Sequence, residues 1–140
     1  MEKNIRILAD SNFFISLANP NDSTHFQAVE IFKRVGGFDE LSINNFVFTE
    51  VITVVSQKVG KTESIQLGED IKKKVSMICI DDEIMNVAWS IFKLDKSKNI
   101  SFTDATSLAI IKIMKLKSFL TFDKKDFKKY EKELKFEIIG

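Results

Sequence analysis

Ile5-Arg6-Ile7-Leu8-Ala9-Asp10-Ser11-Asn12 is a short, mostly apolar run that ends on a carboxylate. A run of this length suits a buried strand over residues 5–9, and it places Asp10 directly after the strand. Four similar runs follow at residues 41–43, 75–80, 119–122 and 136–139. Longer stretches of helical period separate them. This alternation predicts an α/β fold, one domain over residues 1–140 with a parallel β-sheet of about five strands flanked by helices.

The helices are marked by their apolar spacing. Phe26, Val29 and Phe32 form one stripe, after Asp22 or Ser23 as a cap. Met85, Ala88, Trp89 and Phe92 form a second, at i, i+3, i+4 and i+7. Ala105, Ala109, Ile113 and Leu116 form a third, with Lys112 and Lys115 on its wet side. Phe48, Val51, Ile52, Val55 and Val59 also fit the helical period, although the β-branched run Val51-Ile52-Thr53-Val54-Val55 favours a strand by propensity. Period and length decide for a helix, with Asn44-Asn45 at its start.

Composition narrows the class. The 140 residues are 44% apolar and 29% charged, enough for a folded core that buries roughly two-thirds of the unfolded surface. Cys79 is the single cysteine and lies in an apolar run, so a buried, reduced thiol is expected. The first residues are too few and too charged for a signal peptide, and no later stretch approaches roughly 18 apolar residues. A soluble, cytoplasmic protein without a membrane partner is expected. The net charge of +1 conceals an asymmetry, because residues 112–135 hold nine lysines against four acids. A basic segment of this kind is either a solvated helix face or a phosphate-binding track.

Chemistry in an open parallel sheet gathers at the carboxyl ends of its strands. Asp10 and Asp123 both follow predicted strands, Asp104 opens a helix, and Glu50 lies about one turn into another. Four carboxylates converging on one rim would repel unless a cation compensates. Oxygen-only ligation suits Mg²⁺ or Mn²⁺. Each acid also has a plainer role available: Asp10 as an N-cap, Asp104 in the capping box Ser101-Phe102-Thr103-Asp104, Asp123 in a turn with Lys124. Asp81, Asp82 and Glu83 suit the first turn of a helix, where the macrodipole favours acids.

Other chemistries lack their residues. His25 is the single histidine, which removes zinc sites and leaves a Ser-His-Asp or Cys-His mechanism without an evident partner. The glycines, Gly36, Gly37, Gly60, Gly68 and Gly140, have neither dinucleotide-fold nor P-loop spacing. A phosphotransferase of the haloacid-dehalogenase type needs a second Asp two residues after the first, where this chain has Asn12.

Four segments in order resemble the PIN domain family, and in particular its compact VapC-type ribonuclease toxins. Ile7-Leu8-Ala9-Asp10-Ser11-Asn12 is similar to the family's opening strand and first acid, and Thr49-Glu50-Val51 to its second acidic motif. Phe102-Thr103-Asp104-Ala105 and Leu120-Thr121-Phe122-Asp123 resemble the third and fourth. The resemblance implies a metal-dependent endoribonuclease, a homodimer and, for toxin members, a small antitoxin that blocks the site. Asp10 and Asp104 would then hold Mg²⁺ or Mn²⁺. Glu50 would hold or deprotonate the attacking water, and Asp123 would complete the shell. Ser11, Asn12 and Thr103 would orient the carboxylates, and Lys124, Lys125, Lys128 and Lys129 would guide the RNA backbone. A PIN-like RNA-processing or flap-type nuclease without antitoxin, and a non-catalytic PIN scaffold, are the alternatives.

Overall fold

The computed structural model describes residues 7–140. Strand β1 (Ile7–Ala9) leads into helices α1 (Ser11–Ala18) and α2 (His25–Val35). Strand β2 (Leu41–Asn44) is followed by α3 (Asn45–Lys58), α4 (Lys61–Lys74) and β3 (Ser76–Ile78). Helices α5 (Asp82–Leu94) and α6 (Phe102–Met114) then precede β4 (Ser118–Leu120), α7 (Lys124–Leu134) and β5 (Glu137–Ile139). Of the first predicted strand, residues 5 and 6 lie outside the described residues. Among the described residues no helix is long and apolar enough to cross a membrane.

The five strands form one sheet in the order β3-β2-β1-β4-β5, and every neighbouring pair is parallel. The α/β fold with a parallel sheet is therefore as the alternation predicts. Side chains alternate across the pleat, so the central strands β1 and β4 feed two cores. Leu8 and Phe119 enter one core with Ile84, Ala88, Leu108, Ile111 and Phe127 of α5, α6 and α7. Ala9 and Leu120 enter the other with Phe13, Phe14, Val51, Val55 and Ile71 of α1, α3 and α4. Strand β1 is central: the chain builds β2 and β3 on one side of it, then β4 and β5 on the other. This reversal opens a crevice beyond the carboxyl ends of β1 and β4, the usual ligand position in such sheets.

Several local expectations change. Helix α3 forms despite its β-branched run, because Val47, Val51 and Val55 bury on one face and Asn44 caps its start. Helix α4 carries no strong apolar signal. Its buried face is Ser64, Leu67, Gly68 and Ile71, half of it small residues that let α4 lie close to α3. The Ser64 hydroxyl donates to the Ile52 carbonyl at 2.7 Å, and a Cβ on Gly68 would stand 3.0 Å from Ile52 Cδ1. The stripe of Phe26, Val29 and Phe32 marks α2 but not its buried face: Phe26 is 81% exposed, Ala28 and Ile31 are buried, and Phe32 packs partly against the core. The N-cap is Thr24 rather than Asp22 or Ser23. Helix α5 buries Ile84 and Ala88 and leaves Met85, Trp89 and Phe92 partly exposed. Cys79 is exposed rather than buried, since β3 is an edge strand that ends at Ile78.

Asn44 ties the two halves of the molecule at the crevice. It is buried at the end of β2; its Oδ1 accepts the Val47 N–H at 2.8 Å and its Nδ2 donates to the Thr106 and Ser107 hydroxyls of α6 at 3.4 and 3.3 Å. Asn44→Ala removes a helix cap and leaves buried hydroxyls short of a donor, and is expected to cost about 2 kcal/mol. Urea unfolding should show it as a lowered midpoint with an unchanged slope. A midpoint equal to wild type would mean that this link does not hold α3 against α6.

Candidate active site

A cleft of about 570 Å³ opens at the crevice, and Asp10, Glu50, Asp104 and Asp123 all line it. They come from four segments: the end of β1, the second turn of α3, the first turn of α6 and the residue before α7. Their charges interact. Asp10 feels Asp104 and Asp123, and Asp104 feels Asp123 and Glu50.

Asp10 is 3% exposed, and its carboxylate is held from three directions. The Ser11 N–H donates to Oδ1 at 2.8 Å. The Thr121 hydroxyl donates to Oδ2 at 2.9 Å and the Asn12 amide to the same oxygen at 3.4 Å. Thr121 in turn accepts from Asn12 Nδ2 and from the Asp123 N–H, both at 3.1 Å, while Asn12 Oδ1 accepts the Phe122 N–H at 3.1 Å. One buried hydroxyl therefore fixes the ends of β1 and β4 against each other. In the sequence, Thr121 stands out only by its place in the fourth motif, two residues before Asp123.

The plainer roles of the acids are partly realised. Asp10 does cap α1. The Ser101–Asp104 capping box is complete, with the Ser101 hydroxyl accepting the Asp104 N–H at 3.0 Å and Asp104 Oδ2 accepting the Ser101 N–H at 2.9 Å. That bond leaves Asp104 Oδ1 for the cleft. Asp123 stands at the N-cap position of α7 but makes no side-chain cap, so its carboxylate is not engaged by the helix. Asp81 caps α5 through the Ile84 N–H at 2.9 Å and takes no part in the cleft. His25 Nδ1 lies 2.9 Å from the Ser16 carbonyl and joins α1 to α2.

The other expected residues divide. Ser11 and Asn12 line the cleft beside Asp10. Thr103 lines a shallower neighbouring hollow with Glu50 and Ser101, away from Asp10. Lys124, Lys125, Lys128 and Lys129 are exposed on α7 and none of them lines the cleft. Lys129 Nζ is instead 3.0 Å from Asp95, in a separate cavity between α5 and α7. Two charged residues of the cleft were missed, Asp22 in the α1–α2 turn and Lys58 at the end of α3.

Burial, reinforced by the charge of Asp104, pushes the Asp10 carboxyl up to about 7, against the pull of its bonds from Thr121 and Ser11. Burial likewise raises Asp104, opposed by its Ser101 bonds and aided by Asp123 and Glu50. Among the described residues no three carboxylate, imidazole or thiol groups stand close enough together to form a ready-made metal cage. The donor set is instead an open ring of carboxylates around a polar cleft. That arrangement suits a hard cation that keeps part of its water shell and takes few protein ligands.

The PIN domain model matches residues 7–133. The chain belongs to the PIN domain family. No curated protein sequence is similar enough to count as a match. Solved PIN-fold structures share its architecture at low identity. VapC20 of Mycobacterium tuberculosis, described as a sarcin-ricin loop cleaving toxin, superposes with a TM-score of 0.77 at 22% identity, over 88% of this chain and 93% of that one. A toxin–antitoxin complex from Klebsiella pneumoniae gives 0.68 at 18%, over 86% and 89%. FitAcB from Neisseria gonorrhoeae gives 0.68 at 15%, over 96% of each chain.

The raised Asp10 of this PIN domain has a measurable consequence. The unfolded chain releases this proton near 3.8, the folded protein only near 7. Between those values the folded state holds a proton the unfolded state has lost, so stability falls as pH rises through this window. Without divalent ions, thermal melts should show wild type losing stability from pH 5 to pH 8, on the order of a few kcal/mol. Asp10→Asn should flatten that loss. Parallel pH profiles for the two proteins would show that Asp10 ionises normally in the fold.

Proposed function

We propose that this chain is a metal-dependent endoribonuclease and the toxin of a toxin–antitoxin pair, with residues 1–140 forming one PIN-like nuclease domain. The observation that carries this reading is the convergence of Asp10, Glu50, Asp104 and Asp123 on one cleft, with Asp10 so desolvated that it resists ionising. A scaffold has no use for that repulsion, whereas a cation relieves it.

A Mg²⁺ or Mn²⁺ ion bound there supplies Lewis acidity toward a phosphodiester oxygen and lowers the pKa of a bound water. Asp10 and Asp104 are the residues that would hold it. Their oxygens are pre-aimed, by Thr121, Asn12 and the Ser11 N–H on Asp10 and by Ser101 on Asp104. Glu50 is exposed on the cleft wall, where it would accept a proton from the attacking water. Asp123, fixed through its N–H by Thr121, completes the carboxylate ring.

Two partners follow from this reading. A small antitoxin would cover the cleft, in line with the toxin–antitoxin complexes among the structural relatives. A second copy of the chain would pack on the exposed α5 stripe of Met85, Trp89 and Phe92, where stacked aromatic rings stand together at the surface and a partner would cover them. Activity belongs in the cytoplasm, where RNA is the substrate.

Two measurements test the reading. With Mg²⁺ present, wild type should cleave total RNA and Asp104→Asn should not, while its melting temperature stays near wild type. Relief of carboxylate repulsion offsets the weakened cap, because an Asn carbonyl can still accept the Ser101 N–H. Cleavage by Asp104→Asn at the wild-type rate would reduce Asp104 to a cap. Adding Mg²⁺ or Mn²⁺ should also stabilise wild type by about 2.7 kcal/mol at a hundredfold excess over the dissociation constant. The Asp10→Asn/Asp104→Asn double variant should lose most of that shift, and an equal shift in both proteins would put the metal elsewhere.

A further inference from the structure

Helix α3 presents Glu50, Val54 and Lys58 to the acid cleft. They are four residues apart, so they form one line along the helix. Lys58 is the only basic side chain among the described residues that line the cleft, against five carboxylates, the four acids and Asp22. Eight residues of helix put Lys58 on the order of 12 Å from Glu50. That separation sets Lys58 at the far end of this line from Glu50, within the same cleft.

The ammonium group of Lys58 makes no hydrogen bond or direct ion pair among the described residues. Its electrostatic neighbour is Asp22, whose carboxylate already accepts the Thr24 N–H at 3.0 Å and the Thr24 hydroxyl at 2.7 Å. Both bonds fall on Asp22 Oδ1, so Asp22 stands near Lys58 without a direct ion pair, and Lys58 keeps donors free toward the cleft. The lysines of α7 stand outside the cleft, and Lys129 is engaged by Asp95. A polyanion entering a cleft with five carboxylates needs a fixed cation away from the metal position, and Lys58 is the one on hand.

Resting on the ribonuclease reading above, we propose that Lys58 binds a flanking phosphate of the RNA strand, so that the strand runs along α3 from Glu50 toward the Asp22–Thr24 turn. A flanking phosphate contact positions the strand without touching the scissile bond. It also distinguishes this path from one along α7.

The test measures affinity for a single-stranded RNA in an Asp104→Asn background with Mg²⁺, across a salt series. Lys58→Met should weaken binding about tenfold at low salt, as loss of a charged hydrogen bond does. It should also reduce the slope of log affinity against log salt by about 0.7, one phosphate contact on a single strand. Lys58→Arg should restore both, and melting curves should show each variant folded. Asp22→Asn should tighten binding, because it removes a negative charge from the strand's path. If Asp22→Asn instead weakens binding as Lys58→Met does, Lys58 acts only by steadying the turn and the proposal fails. An unchanged slope in Lys58→Met, with the slope falling when Lys124, Lys125, Lys128 and Lys129 are changed to Ala, overturns it and moves the strand to α7. The ribonuclease reading fails separately, if the protein with Asp104 intact leaves RNA uncut.

Discussion

Asp10 is almost wholly out of water at the end of the central strand, where an uncompensated charge costs several kcal/mol. The surrounding structure is arranged around that carboxylate. The Thr121 hydroxyl and the Asn12 amide hold its orientation, and the same two side chains also bond the backbone of Phe122 and Asp123. The central strand β1 and its neighbour β4 are thereby locked where they leave the sheet. The loop after β4 has its course fixed by the polar network that aims the acid.

This arrangement explains why the cleft acids double as structural residues. Asp10 caps α1 and Asp104 closes a capping box on α6. Helix N-termini favour negative charge, so a carboxylate there is stabilised with or without a metal. Placing two acids at helix starts lets them share one crevice without unfolding the protein through repulsion. The cost remains visible at Asp10 and Asp104, both of which hold their protons more tightly than ordinary carboxylates. Asp123 and Glu50 are nearer solvent, and the ring is therefore graded from buried to exposed.

Much of the fold was legible because its signals are local. Alternating apolar runs and helical stripes mark the α/β pattern, and the five runs give the positions of the five strands to within a few residues. The failures also have local causes. Helix α4 hides its buried face in Ser64 and Gly68, which hydropathy does not count. Helices α6 and α7 end on Lys115 and Lys135 in the left-handed conformation, where glycine would have signalled the stop. Phe26 and Trp89 fit apolar stripes, but a stripe does not say which neighbour covers it, and both face outward.

By itself, the sequence determined the class of fold, the order of its strands and the placing of Asp10, Asp104 and Asp123 at element ends, because backbone period and capping chemistry act over a few residues. The tertiary structure alone decided which groups share the cleft. It brings Thr121 onto Asp10 across 111 positions and sets Lys58 in the same cleft as the acids, while it leaves the lysines of α7 outside the cleft. Those relations depend on strand order and on the angle at which each helix meets the sheet. Neither is written in the spacing of residues along the chain, since each is fixed by packing between segments that are distant in sequence.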